Sequence, residues 1–357
     1  MKIPKLKIGD LDIKIPIIQG GMGIGVSKSS LASAVANEGG VGIISGVQIG
    51  YLEPDFLTNT LEANKRALSK EIKKAKKLSP TGIIGVNLMV AMKNYKELVK
   101  TAIKEKIDII ISGAGLPIDL PKLVKESTTK IIPIVSSGKA ARIILKKWEK
   151  SNRLPDAIIV EGAKAGGHLG FKAKDLVDKT NESLEEIVKD VISLVKPYEK
   201  EYDKNIPVIA AGGIIDGNDI AKMLSIGAKG VQMGSRFVAT YECDASTSFK
   251  EAYINSSQND ICLIKSPVGL PGRAIKNSFI NKTENGRIPV KKCFACLSHC
   301  NPADTPYCIS QALIDSVQGE EGLIFAGERA CEIHKIISVN TLINELKQQI
   351  NDYEILT

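Results

Sequence analysis

Eight short segments rich in Ile, Val and Leu recur along the first 240 residues. Most are continuous apolar runs, which are typical of strands buried on both faces of a parallel sheet. Amphipathic, lysine-rich stretches separate them, as crossover helices separate the strands of β-α-β units. The pattern predicts strands over residues 16–22, 41–46, 83–89, 107–112, 131–136, 157–161, 207–213 and 230–237. The clearest helices are predicted over residues 57–78, 95–106, 137–150 and 184–200.

Eight such units favour a closed barrel over an open doubly wound sheet, whose reversal of strand order cannot be seen in a sequence. We therefore predict an α/β fold, with a TIM (β/α)8 barrel over residues 1–240. A smaller C-terminal lid, or second domain, is expected over residues 241–310. Residues 311–357 are expected to form C-terminal helices that pack back on the barrel. In a barrel, the glycine-rich strand ends gather on the active-site face.

The composition limits the classes of function. Hydrophobic residues make up 43% of the 357 residues and charged residues 25%, as in ordinary soluble enzymes. Aromatic residues make up only 4%, which argues against a stacking platform for nucleic acid. The net charge of +8 comes from lysines interspersed with glutamates, which indicates a solvated surface. No apolar run is long enough for a membrane span, no signal peptide is evident, and the seven cysteines fit reduced thiols. We expect a cytoplasmic protein with no nucleic-acid or membrane partner.

The sixth predicted strand ends in a glycine-rich turn that carries a histidine. Residues 161–170 read EGAKAGGHLG, and His168 is one of three histidines in the chain. Glycines let the backbone approach a flat or anionic ligand closely, and histidine titrates near neutral pH. The turn therefore indicates a ligand site, although a tight turn with an incidental surface histidine remains an alternative.

The ends of the seventh and eighth strands suggest a phosphate site. These strands run into Gly212-Gly213 and Gly234-Ser235, and the loops at these positions of a barrel commonly bind phosphate through backbone amides. A phosphate-bearing cofactor on a barrel is either FMN or pyridoxal phosphate. Pyridoxal phosphate needs a lysine at the site, for which Lys164 is the better candidate and Lys139 the weaker one. FMN needs only amides around its ring and phosphate, which these turns supply.

Five motifs, in this order, resemble the nitronate monooxygenase family, formerly called 2-nitropropane dioxygenases. They are PIIQGGM at 16–22, GVNL at 85–88, EGAKAGGHLG at 161–170, AAGGI at 210–214 and QMGSRF at 232–237. The family also includes FMN-dependent enoyl-acyl-carrier-protein reductases. The resemblance implies a TIM barrel that binds FMN without a covalent bond, and a smaller second domain that covers the flavin.

The resemblance also implies roles for individual residues. His168 matches the family's active-site histidine, which acts as a base or as a hydrogen-bond donor to the nitro group. The other matching positions lie against the flavin ring, on its substrate side or around its phosphate. The cofactor-binding residues implied are Gly21, Met22, Asn87, Glu161, Gly166, Gly167, Gly212, Gly213, Gln232, Gly234 and Ser235.

The reaction expected from the resemblance is oxidation of a nitronate or nitroalkane by O2 to a carbonyl compound and nitrite, through a flavin semiquinone. An NAD(P)H-dependent enoyl-acyl-carrier-protein reductase and a quinone reductase are alternatives on the same scaffold. A flavin-free phosphosugar or nucleotide enzyme is disfavoured, because no cysteine precedes Cys243 and the strand-end loops therefore lack a catalytic thiol. The sequence does not decide the oligomeric state, and a homodimer is one alternative.

Two features of the C-terminal third stand apart from the barrel pattern. Arg273, in a turn-rich segment that resembles part of the family's lid, is either a contact for an anionic substrate or nucleotide, or a structural surface residue. His299 and His334 are assigned to structure. A cluster of cysteines could ligate zinc or an iron–sulfur cluster, but its spacing matches no standard motif, so the default expectation is no metal and inert thiols. The cluster consists of Cys293, Cys296, Cys300 and Cys308.

Overall fold

Eight parallel strands close into a barrel in the computed structural model, which describes residues 1–353. Each strand pairs with the next in the chain, and the eighth closes the barrel against the first. The predicted TIM barrel is therefore confirmed. The strands are β1 (Ile17–Gln19), β2 (Val41–Ser45), β3 (Ile83–Met89), β4 (Ile109–Gly113), β5 (Lys130–Val135), β6 (Ile158–Glu161), β7 (Val208–Ala211) and β8 (Gly230–Met233).

Burial on both faces explains the continuous apolar strands. In β2, Ile43 points into the barrel and Ile44 points towards the surrounding helices, and neither is accessible to solvent. An antiparallel hairpin, formed by Leu6–Ile8 and Leu11–Ile13, contributes its apolar side chains to the interior layer. This hairpin supports the interior where the strands begin, opposite the face on which they end.

The prediction for the last strand was too long. Strand β8 ends at Met233, and residues Ser235–Val238 form a short helix. Phe237 and Val238 are fully buried, so their apolar character reflects packing of this helix rather than continuation of the strand. The turn between strand and helix leaves Gly234 and Ser235 at the mouth of the barrel.

Helices surround the barrel, and the eighth position in their ring is taken by the last helix of the chain. Val339–Asp352 packs against the helices Gly217–Ser225 and Ser29–Asn37. Among residues 1–353, no helix has both the length and the apolar character needed to cross a membrane. The helices that follow the first seven strands are Ser29–Asn37, Thr60–Leu78, Tyr95–Lys104, Leu120–Leu123, Gly138–Glu149, Leu184–Tyr202 and Gly217–Ser225.

The chain between β8 and the last helix covers the carboxyl ends of the strands. A three-stranded antiparallel sheet combines Ile261–Lys265 and Pro271–Ile275 with Gly167–His168, the glycine-rich turn after β6. This part of the chain has its own core, which includes Phe279, Phe294 and Leu313. The remaining helices are Gly23–Val26, Ala173–Val177, Ser235–Val238, Thr247–Ile254, Ser278–Glu284 and Ile309–Gln318, with 3-10 turns at Gln258–Asp260 and Ala330–Glu332.

Residues 330–350 belong to the region expected to form C-terminal helices, and in the structure they do not form one continuous helix. Only Ala330–Glu332 and Val339–Asp352 are helical. A new helix starts at Val339 because the Ser338 hydroxyl accepts a hydrogen bond from the backbone N–H of Thr341 at 3.0 Å, which satisfies an otherwise unpaired donor.

Candidate functional site

A cavity of about 270 Å³ lies at the carboxyl ends of the barrel strands, beneath the covering segment. Its walls come from the ends of all eight barrel strands and from the segment after β8. The structure therefore brings together all the residues predicted from the sequence, although their contacts with a cofactor stay a prediction. The predicted residues that line this cavity are Gly21, Met22, Asn87, Glu161, Gly166, Gly167, His168, Gly212, Gly213, Gln232, Gly234 and Ser235.

One wall is shaped by the loop after β1. A Cβ atom on Gly21 would lie 2.4 Å from Cβ of Asn87, so only glycine fits without displacing the asparagine. The next residue is held in place because the backbone N–H of Met22 donates to the buried Ser27 hydroxyl at 2.9 Å. These contacts keep a flat strip of backbone next to the Asn87 amide group.

A buried amide oxygen lacks a partner in this wall. Among residues 1–353, Oε1 of Gln232 is buried and accepts no hydrogen bond. An unpaired buried polar atom costs about 1–3 kcal/mol, and Gln232 faces the cavity. Its oxygen can therefore accept a hydrogen bond from a group that enters the cavity.

The opposite end of the cavity presents unpaired backbone amides. Within the described chain, the N–H groups of Gly213, Gly234 and Ser235 have no protein acceptor. Gly212 and Gly213 have φ of 95° and 80°, a conformation that glycine adopts readily and that turns successive amides outward. The Ser235 hydroxyl accepts from the backbone N–H of Gly327 at 2.9 Å. This arrangement can bind a phosphate group.

His168 is fixed by the segment that covers the barrel. Its Nε2 lies 2.8 Å from the Ser266 hydroxyl oxygen, and its ring meets the edge of Phe325 with the ring centroids 4.9 Å apart. His168 also pairs with Gly272 in the three-stranded sheet. The orientation of the imidazole therefore depends on residues about 100 positions further along the chain.

Burial moves the pKa values of two cavity residues in opposite directions. It lowers the pKa of His168 to about 4 and raises the pKa of Glu161 to about 7, because each loses solvation of its charged form. The imidazole is therefore neutral near pH 7, with one nitrogen as donor and the other as acceptor. We expected from the sequence that His168 would have a pKa near the working pH. Burial instead lowers the pKa of His168 well below 7 and brings the pKa of Glu161 close to 7.

The shifted pKa of Glu161 predicts a pH-dependent stability. Its pKa is raised on folding, so its contribution is fully present below pH 4.5 and is lost as the pH rises through about 7. We expect Glu161→Gln to match the wild type near pH 4.5 and to be more stable above pH 7, by up to about 3 kcal/mol. Urea unfolding of ligand-free protein at both pH values measures this difference. The exposed Glu126→Gln is the control, and an equal gain in the control would contradict the argument.

Arg273 has the structural role considered from the sequence, but it is buried and does not lie at the surface. It is only 6% exposed, and its Nη1 donates to the carbonyl oxygens of Ala163 and Ala165, at 2.6 Å each. Its Nη2 lies 3.4 Å from a carboxylate oxygen of Glu328. Arg273 is therefore a buried structural residue that ties the loop after β6 to the covering sheet, rather than a surface residue or a substrate contact.

Several residues of the site were missed in the sequence analysis. Ser266 contacts His168, and Phe325 lines the cavity and packs against the same ring. Both come from segments without a strong periodic pattern. Phe325 precedes Ala326 and Gly327, which also line the cavity. The run GLIFAG at 322–327 resembles the other apolar segments that end in glycine, and this signal could have indicated a further strand end. The four clustered cysteines line a separate, smaller cavity, and His299 and His334 are exposed.

Comparisons with known proteins point to one family. The family model described as nitronate monooxygenase matches residues 5–349. A probable nitronate monooxygenase of Staphylococcus aureus (strain MSSA476) is 29% identical over 306 residues, covering 78% of this chain and 81% of the relative. The (3aS,4S,5R,7aS)-5-hydroxy-7a-methyl-1-oxo-octahydro-1H-indene-4-carboxyl-CoA dehydrogenase of Mycobacterium tuberculosis is 29% identical, covering 77% of this chain and 67% of that relative. The structure of FabK from Thermotoga maritima has a TM-score of 0.72 and 29% identity, covering 95% of this chain and 94% of FabK.

Proposed function

This chain belongs to the nitronate monooxygenase family, and from that premise we propose that it is an FMN-dependent enzyme that oxidises alkyl nitronates with O2 to a carbonyl compound and nitrite. The observation that carries this proposal is the cavity itself, which combines unpaired backbone amides at one end with a partly buried imidazole in its wall, whose lowered pKa keeps it neutral near pH 7. The name of the Staphylococcus aureus relative supports the choice of a nitronate as substrate.

The residues present fit FMN. The amides of Gly213, Gly234 and Ser235 would hold its phosphate, as backbone N–H groups at turns and helix starts do. The strip at Gly21, where no Cβ fits, would lie against the flat ring. The orphaned oxygen of Gln232 would accept a hydrogen bond from an N–H or O–H of the cofactor. When bound, FMN supplies the electron transfer that no side chain provides.

The protein's own residues bind and orient the substrate. A neutral His168 can donate a hydrogen bond to the nitro group of a nitronate anion, which needs no further deprotonation. The Ser266 hydroxyl, 2.8 Å from Nε2, holds the ring in place. Phe325 and Val268 contribute apolar surface to the same cavity, which excludes water and strengthens the hydrogen bond to the anion.

A second candidate is an NAD(P)H-dependent reductase of an enoyl thioester, with a quinone reductase as a variant of it. The resemblance to FabK at 29% identity extends over 95% of this chain, and the Mycobacterium tuberculosis relative is named for a carboxyl-CoA substrate. The apolar wall that includes Met89, Met92 and Leu297 also suits an acyl chain.

An absorbance spectrum followed by two activity assays distinguishes these candidates. We expect the purified protein to be yellow, to contain about one FMN per chain, and to consume O2 when given an alkyl nitronate. NAD(P)H oxidation that depends on a crotonyl thioester, without O2 uptake on nitronates, would identify the reductase. A protein that stays colourless after addition of FMN would contradict both.

A further inference from the structure

Four cysteines from the segment after β8 converge on one small cavity. Cys293, Cys296, Cys300 and Cys308 are separated by two, three and seven residues in the sequence. All four line a cavity of about 200 Å³, and all are free thiols. The other lining residues include the apolar Val290, Phe294, Leu297, Pro302 and Ile309. The cavity therefore has soft sulfur ligands in largely apolar surroundings.

The Cys293 sulfur receives a hydrogen bond from the surrounding chain. The backbone N–H of Ala295 donates to it at 3.4 Å. Ala295 has a φ of 48°, an uncommon conformation for alanine, and it turns this amide back towards the sulfur. Cys308 is the N-cap of the helix Ile309–Gln318, and its side chain makes no capping hydrogen bond there, so its sulfur is free to bind another group. An N–H···S bond such as that to Cys293 would stabilise a thiolate bound to a metal.

The barrel holds the cysteine loop in position. The side-chain amide of Gln48 donates to the carbonyl oxygen of Phe294 at 3.2 Å in a buried contact, and the Phe294 ring stacks on Phe56. Leu297 forms a β-bridge with Met92 in the loop after β3. The backbone that carries the cysteines is therefore held in place by the barrel.

From this arrangement we propose that Cys293, Cys296, Cys300 and Cys308 bind an iron–sulfur cluster. Four cysteine thiolates are the usual ligands of such clusters. In residues 1–353 no three His, Cys, Asp or Glu side chains are arranged to hold a metal ion, so the four sulfurs would have to reorient when a cluster binds. The cavity of about 200 Å³ has room for a polynuclear group, whereas a single zinc ion would fill only a small part of it.

The cluster would stand directly beside the candidate active site. Cys296, Leu297 and Ile309 line both the cysteine cavity and the larger cavity. The proposal does not depend on the choice of substrate, because it concerns only the residues around the thiols. Its test therefore measures metal and sulfide rather than turnover.

The full-length protein, purified without oxygen, is assayed for iron, zinc and acid-labile sulfide. We expect iron and sulfide in equal amounts, at about two or four of each per chain, and an electron paramagnetic resonance signal after reduction with dithionite. One zinc per chain without sulfide, iron without sulfide, or no metal at all would each overturn the proposal.

Single substitutions assign the cluster to these thiols. Cys308→Ser is expected to lose most of the iron and sulfide, and Cys300→Ala provides a second variant if Cys308→Ser does not fold. Cys331→Ser is the matched control, because Cys331 lies outside the cluster and donates a hydrogen bond to the Gln258 side chain. Full iron and sulfide content in the Cys308 or Cys300 variant, or equal loss in the Cys331 variant, would overturn the assignment.

Discussion

Replacement of His168 by alanine is expected to lower kcat/KM for nitronate oxidation by about 10²- to 10³-fold while leaving FMN bound. This range is typical when one hydrogen-bond donor to a developing charge is removed from a water-excluded site. The loss should be larger for a neutral nitroalkane, whose proton must also be removed. The measurement compares steady-state kinetics on both substrates with the flavin content of wild type and variant.

Two further variants separate the role of the imidazole from its contribution to structure. His168→Gln keeps a donor in the wall and should retain more activity on nitronates than His168→Ala. His334→Ala removes an exposed histidine and should leave kinetics unchanged. Loss of FMN from the His168→Ala variant, with normal turnover after FMN is added back, would show that the residue binds the cofactor and does not act on the substrate.

The barrel and its glycine-rich loops could be predicted because their causes are local. A strand buried on both faces must be apolar throughout, so runs such as those around Ile43 and Ile159 are visible in the sequence. The close approach of Gly21 to Asn87 excludes any side chain there, which leaves a glycine as a signal. Burial on both faces and the lack of space for a side chain each restrict which residue types can occur at a given position, so they can be recognised in the sequence.

The covering segment could not be predicted to the same depth because its contacts join distant residues. Ser266 contacts His168 although 98 positions separate them in the chain, and the sequence around either residue does not predict this contact. The pKa of His168 depends on how many atoms enclose it, and this number is set by Phe325 and the covering sheet. The ring of helices shows the same limit, because its eighth member comes from the end of the chain rather than directly after β8.

The second large effect concerns the buried arginine that joins the covering sheet to the loop after β6. Arg273 donates to the carbonyl oxygens of Ala163 and Ala165, which have few other ways to satisfy their hydrogen bonds inside the protein. Methionine at this position would fill similar space but donate nothing. Two buried carbonyl groups and the Glu328 carboxylate would then lose their partner.

We therefore expect Arg273→Met to lower the free energy of unfolding by about 3 kcal/mol, because two carbonyl oxygens each lose a charged hydrogen-bond donor, at about 1.5 kcal/mol or more for each. The free energy of unfolding of Arg273→Lys should lie between those of the wild type and Arg273→Met, because one ammonium group cannot reproduce the planar arrangement of N–H donors of a guanidinium group. Urea unfolding measures both, and limited proteolysis should show earlier cleavage near Lys164. Arg66→Met, which removes an exposed arginine paired with Asp55 and Glu53, should unfold like the wild type. Equal stability of the Arg273 and Arg66 variants would mean that the covering sheet is held by its apolar contacts and strand pairing, without need of the guanidinium group.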